Sequence, residues 1–132
     1  MEQTRAGRPT RVSVLVADDD DDIRDSIKEV LEDEGYTVVV AAHGEEALEQ
    51  LTRVRPQLIL LDLSMPVMNG QEFRKAQLAD AALKEIPVVV LSAAGRMQEK
   101  AAGMDAADLV AKPIKLEKLL LVVRRFCGDP ER

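Results

Sequence analysis

Five short apolar runs, each ended by a small or charged residue and separated by stretches with helical spacing, restrict the fold of this 132-residue chain most strongly. The clearest is Leu58 to Leu61, reading LILL without polar alternation and stopping at Asp62. A run of this kind fits a strand covered on both faces of a parallel sheet. Met65, Pro66, Asn69 and Gly70 follow at once and read as loop. Asp62 is therefore expected at the carboxyl end of a central strand, the edge where open parallel sheets bind ligands.

The other strands are expected over Val12 to Ala17, Tyr36 to Ala42, Ile86 to Leu91 and Asp108 to Ala111. Between them, Ile23, Ile27, Val30 and Leu31 form a helical stripe that Gly35 ends as a C-cap. Further helices are expected from Gly44 to Val54, closed by Pro56, from Gly70 to Asp80 with Phe73 and Ala76 inward, and around Arg96 to Gly103. The last runs from Lys115 to Phe126 with Leu116, Leu119, Leu120 and Val123 inward. Strand and helix alternating in this way predict an α/β fold: a doubly wound, five-stranded parallel sheet in order 2-1-3-4-5, with five helices and right-handed crossovers. The length suits one domain, expected over residues 11–127, with tails at 1–10 and 128–132.

With no Trp, one Tyr and two Phe, the core must be aliphatic. A net charge of -6 opposes nonspecific attraction to DNA or an anionic membrane, so neither is an expected partner. The apolar runs are too short to span a bilayer and Met1 to Arg11 has no signal-peptide core, which points to the cytoplasm. The single Cys127 permits no internal disulfide and reads as a small packed hydrophobe. The lone His43, at the start of the second helix, reads as a surface residue.

Five consecutive aspartates, Asp18 to Asp22, follow the first strand. Asp20, Asp21 and Asp22 fall where a helix begins, and carboxylates there cap free N–H groups and oppose the positive helix end. Asp18 and Asp19 gain little from capping. With Asp62, Ser92 and Lys112 they end four of the strands at one edge. At an effective dielectric near 20, two carboxylates ~4 Å apart repel by about 4 kcal/mol, so three together require a counter-charge. A hard, oxygen-seeking cation such as Mg2+ suits them. Asp62 could then act as a nucleophile toward phosphorus, with the Lys112 ammonium and the Ser92 hydroxyl binding phosphoryl oxygens.

The chain resembles the receiver domains of bacterial two-component response regulators, the flavodoxin-like fold of the chemotaxis regulator, from Arg11 to Phe126. The motifs are VLVADDDDDIR, LILLDLSMPVMNG, VVVLSA and LVAKP. The resemblance implies that Asp62 accepts a phosphoryl group, and that Asp19 and Asp62 ligate Mg2+ directly. Ser64 would add its backbone carbonyl and Asp18 a contact through water. It further implies that Ser92, Ala93 and Lys112 bind the phosphate and switch, with a cis bond before Pro113. The implied partners are a sensor histidine kinase or histidine phosphotransfer protein and a downstream protein target, with a monomer or weak homodimer expected. Because the sequence stops after the fifth expected helix, a stand-alone receiver is expected, although a domain cut from a hybrid kinase would read identically.

Ser92 stands where Thr is more frequent in that family, and Leu109 where Tyr or Phe is usual. Signalling is therefore expected mainly through Ser92 and the segment from Ala93 to Met97, with a smaller change at the fifth strand. An Asp-dependent phosphatase of the haloacid-dehalogenase type is the enzymatic alternative, but it wants a second acid where Ser64 stands. A flavodoxin-like nucleotide binder would need a glycine-rich turn after the first strand, and that turn is acidic. A degenerate receiver would lack some of the acids or Lys112.

Overall fold

The computed structural model describes residues 9–93, 101 and 103–130. Five strands, β1 (Thr10–Ala17), β2 (Val38–Ala41), β3 (Val54–Asp62), β4 (Val88–Ala93) and β5 (Asp108–Lys112), form one parallel sheet in order β2-β1-β3-β4-β5. Among the described residues there are four helices: α1 (Asp21–Asp33), α2 (Gly44–Gln50), α3 (Gly70–Leu78) and α4 (Leu116–Cys127). The helix expected around Arg96 to Gly103 lies, apart from Ala101 and Gly103, outside the described residues.

Alternate strand residues feed two cores, because successive side chains in a strand point to opposite faces. Leu15, Ile59, Leu61, Val88 and Val90 pack with Ala47 and Leu51 of the α2 segment and Phe73 of α3. Val14, Val16, Leu58, Leu60, Val89 and Leu91 pack on the other face with Ile27 and Leu31 of α1 and Leu119, Val122 and Val123 of α4. Both faces of β1, β3 and β4 are thereby covered, which accounts for their unalternating apolar runs.

Local chemistry sets the boundaries. Asp20 caps α1 by accepting from the Ile23 N–H at 3.1 Å. At the other end, Gly35 has φ 107, its N–H reaching the Glu32 carbonyl and that of Tyr36 the Leu31 carbonyl, a Schellman close. The second helix is shorter than its sequence pattern suggests. It stops at Gln50, and Val54 already opens β3, so Pro56 lies inside a strand instead of ending a helix. Pro56 pairs with Val12 of β1, whereas pairing with β4 starts only at Ile59. Its missing N–H falls where β3 is still an edge strand, and so costs no ladder bond there.

Two inward faces also differ from expectation. On α3 the buried residues after Phe73 are Arg74 and Gln77, while Ala76 is half-buried. On α4, Val122 is buried and Leu116 is 50% exposed.

The loop from β3 to α3 contains a strained residue. Val67 has φ 66, and the Met68 N–H reaches back to the Pro66 carbonyl at 2.6 Å, closing a γ-turn around it. A β-branched residue in this region costs of order 1–3 kcal/mol, and Val67, 70% exposed, recovers little by burial. Val67→Gly is expected to stabilise the protein by about 1 kcal/mol, after subtracting ~0.5–1 kcal/mol for the looser unfolded glycine chain. Urea unfolding checks this, and equal or lower stability in the variant would contradict it.

Candidate functional site

The carboxyl ends of β1, β3, β4 and β5 converge, and each delivers one chemically active residue. Asp18 follows Ala17 directly and is fully buried, its N–H held by the Ala41 carbonyl at 3.0 Å. Asp62 ends β3 and is 5% exposed, and Lys112 ends β5. The Lys112 Nζ lies 2.8 Å from Asp18 Oδ2 and 3.4 Å from Asp62 Oδ1. The ammonium, carried by β5, thus reaches the ends of β1 and β3, two neighbouring strands that β5 does not itself pair with.

The aspartate run divides by role. Asp18 Oδ1 accepts from the Asp20 N–H at 2.9 Å, an Asx turn that bends the chain into α1. Asp20 caps the helix, and Asp21 pairs with Arg24. Arg24 also donates to the Asp18 carbonyl at 2.9 Å, fixing the turn that carries Asp18 and Asp19. The sequence reading missed Arg24, although its i,i+3 spacing from Asp21 is a helix-surface pairing signal. Asp19 is exposed, and one carboxylate oxygen each of Asp18, Asp19 and Asp62 lie within 4.8 Å of one another.

Burial, then repulsion from Asp18, raises the Asp62 carboxyl to about 6, against the pull of Lys112 and the Ser64 backbone N–H. Burial alone would lower Lys112, but bonding and attraction to Asp18, then Asp62, hold it above its ordinary value. Asp18 Oδ2 is buried without a directed hydrogen bond. Its 2.8 Å separation from the ammonium is still an ion pair, since charge attraction does not depend on where the hydrogens point. Three acids against one lysine leave an excess of negative charge and an oxygen with spare coordinating capacity. That donor set fits a hard divalent cation.

The remaining expected residues are placed by register. Ser92, buried, follows Leu91, the β4 partner of Asp62, and itself pairs with Ala111; Ala93 pairs with Lys112. Of the segment Ala93 to Met97, Ala93 alone is described. Ser64 is exposed in the loop after Asp62. Leu109 is half-buried against the α3-side core, and the Lys112–Pro113 bond is cis. Gly70 permits a close approach that shapes this loop: a Cβ there would lie 2.6 Å from the Asp62 carbonyl oxygen.

Two candidates stand apart from the edge. His43 caps α2, its Nδ1 accepting from the Glu46 N–H at 3.1 Å. Cys127 packs against the α1-side core, its thiol pushed up to about 11 by burial.

Residues 14–124 match the sequence profile of the response regulator receiver domain. The chain belongs to this family. Among its relatives, response regulator MprA of Mycobacterium ulcerans (strain Agy99) is 40% identical over 115 residues, covering 86% of this chain and 49% of the relative. The MprA of Mycobacterium leprae (strain TN) is 39% identical over 113 residues. The receiver thus spans about half the length of the curated relatives it matches. Among solved structures, the receiver domain of a signal transduction histidine kinase from Syntrophus aciditrophicus superposes with TM-score 0.81 at 28% identity, covering 92% of this chain and 93% of that one. The chemotaxis response regulator CheY4 of Vibrio cholerae gives TM-score 0.78 at 32% identity, with 90% and 99% covered. This receiver is accordingly a two-component signalling domain. Among the described residues, no helix is long and apolar enough to cross a membrane.

Proposed function

We propose that this receiver accepts a phosphoryl group on Asp62 from the histidine of a kinase or phosphotransfer protein in the cytoplasm, and then switches conformation to regulate a partner. The observation that carries this is the buried Asp62 held between Asp18 and Lys112 at the strand-end edge. Asp19 and Asp62, with the Ser64 carbonyl, would hold Mg2+ directly, and Asp18 through water. When bound, Mg2+ supplies the positive charge that offsets the three carboxylates and the charge of the transferring group.

An Asp62 oxygen forms a bond to phosphorus as the P–N bond to the donor imidazole breaks, and the imidazole takes the electron pair and is reprotonated. Lys112 then has a phosphoryl oxygen to pair with, and Ser92 and Ala93, next along the edge, would meet the others through the hydroxyl and the backbone N–H. The receiver assists its own phosphorylation, and its later hydrolysis, by positioning these groups.

An open apolar groove of about 300 Å³, lined by Ile23, Ile27, Pro113, Ile114, Leu116 and Leu119, flanks the site. Its walls follow directly on the turns that carry Asp19 and Lys112, so a donor helix seated there would bring its histidine to Asp62. Leu116, half-exposed at the first helical position, tolerates an acid. Leu116→Asp is expected to slow transfer from a phosphorylated histidine kinase at least ~10-fold, the effect of about 1.4 kcal/mol of lost contact, while uptake from acetyl phosphate is unchanged. Label transferred from the kinase to Asp62→Asn would overturn the phosphoacceptor assignment.

A further inference from the structure

The inward face of α3 carries a charged side chain where a core residue would ordinarily be apolar. Arg74 is 5% exposed and Gln77 is fully buried. Arg74 donates from Nε to the Met104 carbonyl at 2.7 Å, from one terminal nitrogen to the Asp105 carbonyl at 2.9 Å, and from the other to Gln77 Oε1 at 2.8 Å. Gln77 in turn donates from Nε2 to the carbonyls of Leu83, at 2.9 Å, and Ile86, at 3.0 Å. Every bond in this set is consistent in direction, with the amide oxygen accepting and the amide nitrogen donating twice.

The four carbonyls belong to the two segments that lead into β4 and β5. Leu83 and Ile86 precede β4, and Met104 and Asp105 precede β5. These segments are tied to each other as well, by the Ala107 N–H on the Val88 carbonyl at 2.8 Å. The side chains of Leu83, Ile86 and Met104 are buried in the core on this face, and Asp105 sits at φ 55, a left-handed turn that the guanidinium holds through its carbonyl.

We propose that Arg74 and Gln77 form a buried brace pinning the entry ends of β4 and β5 to α3, so that the change following phosphorylation is confined to the exit ends that carry Ser92 and Lys112. An apolar pair could fill the same space, but it would not fix four backbone carbonyls; a fully satisfied buried network rigidifies what it joins. Leu109, four residues after Asp105, then lies near the pinned end of β5, and the strand does not carry the signal outward through it. The confinement rests on the phosphoacceptor reading given above, whereas the brace does not.

The test is amide exchange of the full chain, with and without beryllofluoride and Mg2+, for the wild type and Arg74→Leu. Because Arg74→Leu strands three acceptors and can fail to fold, Arg74→Lys, which keeps the cation but lacks the fork, is measured beside it. In the wild type, beryllofluoride is expected to alter exchange at Ser92 and Ala93 by at least ~10-fold and to leave residues 106–110 within ~2-fold. In the variants those amides exchange at least ~10-fold faster without ligand and respond to beryllofluoride. Wild-type rates at 106–110 in ligand-free Arg74→Lys would overturn the brace. A wild-type response at 106–110 as large as that at Ser92 would overturn the confinement. Absence of any beryllofluoride response, together with no phosphoryl uptake from acetyl phosphate, would instead overturn the phosphoacceptor reading and the confinement with it.

Discussion

Asp62→Asn is expected to make the metal-free protein more stable at pH 8 by about 3 kcal/mol, a gain that shrinks to about half at pH 5 and vanishes below pH 4. The Asp62 carboxyl titrates near 3.8 when unfolded and near 6 in the fold, because burial and then Asp18 disfavour its charge. The folded state therefore holds this proton more tightly than the unfolded chain does. Its contribution to stability is complete below pH 3.8 and is lost as the pH rises through 6. Asparagine keeps the shape and never ionises, so it escapes that loss. Urea unfolding of both proteins in EDTA at pH 5 and pH 8 checks it; a gap that does not widen with pH, or a less stable variant at pH 8, would contradict it.

The second large effect concerns the only ammonium found between the acids among the described residues. Lys112→Met leaves a fully buried Asp18 beside Asp62 without counter-charge. Removing one partner of a buried pair costs about 3–5 kcal/mol, a large share of the roughly 5–15 kcal/mol that holds a domain together. Without the lysine's pull, the Asp62 carboxyl, already raised by burial and by Asp18, holds its proton more tightly still in the fold, so the deficit is largest at high pH and shrinks as the pH falls. Saturating Mg2+ restores much of it by binding the folded state alone. Thermal unfolding at pH 5 and pH 8, with and without Mg2+, measures this. A deficit that is the same at both pH values and indifferent to Mg2+ would show that Lys112 acts by packing instead of charge.

The strand-end residues were readable because a single charged or small residue closing an apolar run has few places to go in a parallel sheet. Parallel pairing followed from the same alternation, and the Gly35 cap from a glycine standing just past a helical stripe. Where the reading failed, tertiary context overrode a local signal. Pro56 reads as a helix terminator, but it lies in the stretch of β3 that pairs with β1 before β4 begins. Ala76 was expected inward with Phe73, whereas Arg74 and Gln77 take the buried positions, because nothing in a polar residue's identity reveals that four carbonyls lie within the reach of the pair. Leu116 matches the apolar stripe of α4 yet stands half-exposed at the edge of an open groove. The division of labour along Asp18 to Asp22 was legible for the cap, but the part played by Arg24 required the turn itself.

Asp62 is expected to be the one residue that takes up phosphate, and intact mass measurement after incubation with acetyl phosphate and Mg2+ tests that most directly. The wild type should gain the mass of a single phosphoryl group, the gain should disappear with EDTA, and Asp62→Asn should gain nothing. A phosphoryl mass on Asp62→Asn, or none on the folded wild type with Mg2+ present, would contradict it.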